Sequence, residues 1–175
     1  MLIRRETPAD VTAVRAVTGA AFAARSRTPV PAEVTLLDEL RGCDGWLPAL
    51  SLVAEGPDGE VAGHVVCTRG RIGDTPSLGL GPISVAPGRQ GRGTGSALVH
   101  TALGAADALG EPLVALLGDP AYYRRFGFRA AAGYGITAPD PAWGDHFQVR
   151  TLSAYDPGDP ALRGAFAYAE PFDRV

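Results

Sequence analysis

The chain has 175 residues, 46% of them apolar and 20% charged, with a formal charge of −3 and a pI near 5.6. That length suits one domain, and the composition is too apolar for a disordered chain. All 16 basic residues are arginine, which excludes a Schiff-base lysine and the lysine of a nucleotide P-loop, and the acidic balance without a basic stripe argues against nucleic-acid binding.

In chain order, Met1–Arg5 reads as a short strand. Thr7-Pro8-Ala9-Asp10 then supplies an N-cap, a proline at the first helical position and an acid at the positive helix end. Val11, Val14, Thr18, Ala21 and Phe22 continue with helical spacing, and a second helix follows Pro31 with Val34, Leu37 and Leu40 on one face. Leu50–Glu55 and Val61–Thr68 read as strands joined by the turn Gly56-Pro57-Asp58-Gly59. Leu78–Val85 is the third strand of this antiparallel meander. Its Gly79, Gly81 and Pro82 predict a bulge or the close approach of another backbone or a ligand. A glycine-rich loop from Gly88 leads into a helix ending near Leu109, with Leu98, Ala102, Ala105 and Leu109 as its buried stripe. Leu113–Leu117 is continuously apolar, the pattern of a strand covered on both faces. A short helix at Ala121–Phe126 and a strand near Phe128 come next. Phe147–Leu152 and Ala165–Ala169 complete the strands, as a C-terminal pair over about 147–169. The expectation is a single α/β domain over 1–175 with its core in about 1–131.

Cys43 and Cys67 make neither a disulfide framework nor a zinc pattern, and no metal is expected. The N-terminus is charged too early for a signal peptide, and no apolar run nears the roughly 18 residues of a membrane span. A cytoplasmic, membrane-free protein is expected, as a monomer or homodimer.

The chemical signal is strand, glycine loop, helix. Glycines let successive backbone N–H groups converge, and the helix start adds partial positive charge, together an anion cradle. The P-loop and dinucleotide spacings both fail here. What fits is Gln90-x-x-Gly93-x-Gly95 after a strand ending Gly81-Pro82-Ile83-Ser84-Val85-Ala86-Pro87, together with Gly118-Asp119-Pro120-Ala121-Tyr122-Tyr123-Arg124-Arg125-Phe126-Gly127-Phe128. These two blocks, at this separation, resemble the GNAT superfamily of acyl-CoA-dependent N-acetyltransferases over Met1 to about Ala131.

The resemblance implies a mixed, mostly antiparallel central sheet with two splayed neighbouring strands, here Leu78–Val85 and Leu113–Leu117, flanked by helices. It implies acetyl-CoA as cosubstrate and direct transfer to a primary amine in a ternary complex. Ile83, Ser84 and Val85 would pair with the pantetheine arm like an added strand. The backbone of Gln90, Gly91, Arg92, Gly93, Thr94, Gly95 and Ser96 would hold the pyrophosphate, with Arg89 and Arg92 facing the adenosine phosphates. The Val85 N–H would polarise the thioester carbonyl, and Tyr123 would protonate the departing thiolate. His64 is a candidate general base, because its titration range suits proton removal near neutrality. Tyr122, spaced i,i+4 from Phe126, is expected to pack. The alternative reading is a non-catalytic acyl-CoA-binding or regulatory module. The acceptor amine is not legible.

Overall fold

A computed structural model describes residues 1–175. Nine strands form a sheet with β1 (Leu2–Arg5), β2 (Ser51–Glu55), β3 (Val61–Ile72) and β4 (Thr75–Val85) as an antiparallel run. Next to β4 lies β5 (Leu113–Leu117), and the two are parallel. β6 (Arg129–Ala130), β7 (Ile136–Thr137), β8 (Phe147–Thr151) and β9 (Gly164–Ala167) follow in chain order. β8 lies between β5 and β6, while β9 pairs with the far end of β3 and with β7. The helices are α1 (Val11–Phe22), α2 (Ala32–Arg41), α3 (Thr94–Ala108) and the single turn α4 (Pro120–Tyr123).

Both faces of the sheet are covered, so its central strands are apolar on both sides. On one face α3 lays Leu98, Val99, Ala102 and Ala106 against Leu52, Val65, Leu78 and Val114. Gly63 makes this approach possible. A side chain there would stand 3.0 Å from a methyl of Leu98 and 2.9 Å from the Ser84 carbonyl. On the other face Val14, Leu36, Leu37 and Leu40 pack on Val53 and Val66, while Phe147, Phe166 and Ile136 fill the C-terminal part.

The single domain and its mixed, mostly antiparallel sheet agree with the sequence reading. Two details differ. The hairpin of β3 and β4 is longer than the apolar pattern indicated, because Gly73, at φ +54°, turns the chain only after Ile72. The C-terminal strands expected as a pair do not meet: β8 joins β5, and β9 joins β3 and β7. The proline-interrupted connection between them carries the chain from one part of the sheet to the other. No helix is long and apolar enough to cross a membrane.

Candidate active site

β4 and β5 pair only through Leu78–Val114 and Gly79–Ala115. Beyond that point they part, and the gap between Leu80–Val85 and Leu116–Gly118 is a fork in the middle of the sheet. The cause lies in β4. Between the pairs Cys67–Leu80 and Val65–Ile83, β4 spends one residue more than β3, a bulge containing the cis Gly81–Pro82 peptide. Bulges bend the strand that carries them, here away from β5.

Backbone alternation then decides which amides face the fork. The Ala86 N–H donates to the Ala62 carbonyl at 2.9 Å on the β3 side. Hydrogen-bonding direction alternates along an antiparallel pair. Ser84 therefore also turns its amide to β3, while Ile83 and Val85 direct theirs into the gap. The Val85 carbonyl, on the same edge, accepts from the Gln90 side chain at 3.1 Å. Ser84 was expected among the pantetheine-pairing residues, and the structure removes it. Its amide faces β3, and its buried hydroxyl is hydrogen-bonded to Thr18 of α1 at 3.0 Å.

The loop after β4 closes one end of the fork. Gly91 and Gly93 take φ of +71° and +86°, and a Cβ on either would meet no protein atom within 4 Å. Gly93 is the residue before α3, so the loop leads straight to the free N–H groups of the first helical turn. Gln90 through Gly93 are all open to solvent. This arrangement fits a pyrophosphate: donors and positive dipole converge on open space. Arg92 is exposed there, and Arg89 is ion-paired to Glu60 at the surface.

Tyr123 stands over the far arm. A Cβ on Gly118, just past β5, would lie 2.3 Å from its ring. The ring also packs edge-on to Phe128, with centroids 5.8 Å apart, and burial pushes its phenol up to about 12. Tyr122 packs on Phe126 at 5.5 Å, as its spacing indicated. Asp119 caps α4, accepting from the Ala121 N–H at 2.8 Å. Cys67 is fully buried, and burial raises its thiol to about 12, far from a reactive thiolate.

His64 does not behave as a base. Its side chain has no exposed surface. Nε2 lies 3.0 Å from the Glu6 carboxylate and 2.9 Å from the Ser51 hydroxyl. Burial lowers the pKa of His64 from 6.5, so the ring is neutral and its Nε2 proton is the one given to Glu6. Burial also opposes the Glu6 charge, but hydrogen bonds from His64 and Ser51 and the Arg41 cation outweigh it, bringing Glu6 to about 2. The group ties the end of β1 to β2, β3 and α2. Glu6 was missed in the sequence because its partners are 45 and 58 residues away.

The family model for the acetyltransferase (GNAT) domain matches residues 48–130, from the turn before β2 through β6. The N-acetyltransferase YhbS of Escherichia coli K12 is 34% identical over 178 residues, covering 99% of each chain. The chain belongs to the GNAT family. Among solved structures, a GNAT acetyltransferase from Brucella melitensis in complex with acetyl-CoA is 36% identical with a TM-score of 0.79, covering 98% of this chain and 97% of that one. Escherichia coli YhbS in complex with CoA is 32% identical with a TM-score of 0.80, covering 99% and 92%. This GNAT protein is accordingly an acyl-CoA N-acyltransferase.

Proposed function

We propose that the protein transfers acetyl from acetyl-CoA directly to a primary amine, with both substrates in the fork at once. The observation that carries this reading is the edge of β4: Ile83 and Val85 turn their backbone N–H groups to the gap, and the glycine loop lies at its end. An extended pantetheine arm would pair with that edge as a strand does. The loop and first turn of α3, Gln90 to Ser96, would receive the pyrophosphate through backbone N–H groups.

A neutral amine attacks the thioester carbonyl carbon. The C–N bond forms, the C–S bond breaks, the amine gives up a proton to solvent, and the thiolate needs one. The Val85 N–H is the donor for the carbonyl oxygen as it gains charge, a role that removes about 2.7–4 kcal/mol of barrier in comparable oxyanion sites. Tyr123 is the acid for the thiolate. With a pKa near 12 it is fully protonated at neutral pH and is a donor to a thiolate whose own acid lies near 8.5.

The test is thiol release from acetyl-CoA over a panel of small amines and peptide N-termini, with Tyr123→Phe beside the wild type. Tyr123→Phe is expected to lower kcat by about 10²-fold with acetyl-CoA affinity unchanged. Full turnover in that variant would remove Tyr123 from the chemistry. Acetyl-CoA binding without thiol release on any amine would leave the transfer reading without support.

A further inference from the structure

The fork has one filled face and one open face. Leu78 and Val114 at its apex point into the core beneath α3, and Ile83, Val85 and Leu116 pack on the same side. Side chains alternate along a strand, so Gly79, Ala115 and Leu117 turn to the opposite face. There Leu117 is 46% exposed, a large apolar side chain at the mouth of the fork. An acyl group carried down the fork has room only on this face.

At the apex, the last pair between β4 and β5 presents just a hydrogen and a methyl there, from Gly79 and Ala115. Tyr168 fills the space they leave. Its ring edge lies 2.5 Å from where a Cβ on Gly79 would stand. Four aromatic rings fix it, with centroids at 4.7 Å for Phe172, 4.9 Å for Phe166, 6.3 Å for Phe147 and 6.4 Å for Trp143. Its hydroxyl is buried and makes no hydrogen bond within the protein, so packing alone holds the ring. A wall of this kind is stiff, because close-packed interiors resist added volume.

The length of the pantetheine arm decides what meets that wall. About twelve covalent bonds separate its phosphate-bearing oxygen from the sulfur, as many as in about four residues of extended backbone, or about 13 Å. Counted down β4 from Val85, beside the glycine loop, that length ends at Gly81, in the bulge. The strand left before Gly79 spans about 7 Å, room for a thioester carbonyl and a methyl group once van der Waals contact is counted.

We propose that Tyr168 is the acyl-length stop of the donor site, its ring against Gly79 admitting acetyl and rejecting acyl groups longer by two or more carbons. The proposal rests on the fork reading above, with the thioester at the bulge of β4.

The experiment is calorimetric binding of coenzyme A and of its acetyl, butyryl and hexanoyl thioesters to the wild type, Tyr168→Phe and Tyr168→Leu, each variant checked for cooperative melting. The wild type is expected to bind acetyl-coenzyme A about tenfold or more tightly than the two longer thioesters, the discrimination of a pocket against methylenes it cannot take. Tyr168→Phe keeps the ring and loses no hydrogen bond, so it should show the wild-type order. Tyr168→Leu should accept butyryl-coenzyme A, with affinity rising about fourfold per methylene buried and coenzyme A itself unchanged. Equal wild-type affinity for the three thioesters would overturn the stop and leave the fork reading in place, and this comparison requires no variant to fold. Tyr168→Leu weakening coenzyme A and every thioester alike would reduce the ring to a packing role and also overturn the stop. A wild type that binds none of the four compounds would overturn the fork reading, and the stop with it.

Discussion

Burial acts on His64 and Tyr123 in ways that keep both uncharged, yet with different outcomes. Tyr123 is a phenol whose proton is retained to about 12, so kcat should show no alkaline fall attributable to it below that range; a fall tracking Tyr123 near pH 10 in a pH–rate profile would contradict its buried setting. His64 is a stability group. Its folded pKa lies below the 6.5 of the free side chain, so below about pH 6.5 the unfolded chain binds the proton more readily and stability falls on acidification. Glu6 adds a second loss between about 4.5 and 2, because its contribution is present above the unfolded pKa and disappears as pH drops through the folded one. Melting temperature should therefore decline in two stages. His64→Gln, which retains an N–H for Glu6 and cannot titrate, should flatten the first; an unchanged profile in that variant would show that the histidine is not the group responsible. The family resemblance singled out Tyr123 by its distance from Gly127, and its ring lies against Gly118 just past β5. The roles of His64 and Ser84 were not legible in the sequence, because they depend on Glu6, Ser51 and Thr18, which only the fold brings to them.

At the scale of elements, the fork depends on two glycines doing different work. Gly93 is at φ +86° with empty space beyond its α-carbon. Valine there carries about 1–2 kcal/mol of backbone strain and puts methyl groups where a pyrophosphate would lie. Gly93→Val is expected to melt cooperatively and to lose acetyl-CoA binding by calorimetry; retained affinity would move the phosphate site elsewhere. Gly79 marks the last β4–β5 pair, and the Tyr168 ring stands against it: an added Cβ would sit 2.5 Å from the ring. Gly79→Ala must displace Tyr168 from its packing on Phe166 and Phe172. Thermal unfolding should show a loss of about 1–3 kcal/mol, the usual range for overpacking. The sequence placed a glycine-containing bulge in this strand correctly, since glycine and proline weaken a regular ladder and are accommodated where a strand bulges. It gave no sign of Tyr168, which approaches from the far C-terminal end of the chain and carries no local periodicity.

For the molecule as a whole, the meander and α3 were readable because each has its own period and turn residues, and neighbours in sequence pair in space. The C-terminal third was not. Its strands have no hairpin turn between them, and which edge each one joins is settled by the packing of Phe147, Phe166 and Ile136 rather than by any local pattern. Binding couples to this whole fold by mass action. At acetyl-CoA concentrations of about 100 times Kd, stabilisation should reach roughly 2.7 kcal/mol and raise Tm by about 5–10 °C for a chain of this size. The shift should be absent in Gly93→Val. A shift of the same size in that variant would mean that the ligand is held without the loop.

The parting of β4 from β5 also changes what hydrogen exchange should report. Amides deep inside a sheet ordinarily exchange only on extensive unfolding, while those without a partner exchange through small local motions. Ile83 and Val85 have paired strands on one side and an empty edge on the other, so in the free protein they should exchange as fast as loop amides. Ala86, bonded to Ala62 immediately next to them, should be slow. Saturating acetyl-CoA should bring Ile83 and Val85 down toward the rate of Ala86 and leave Ala86 itself nearly unchanged. The sheet thus carries its own occupancy gauge, two amides whose protection reads whether the missing strand is in place.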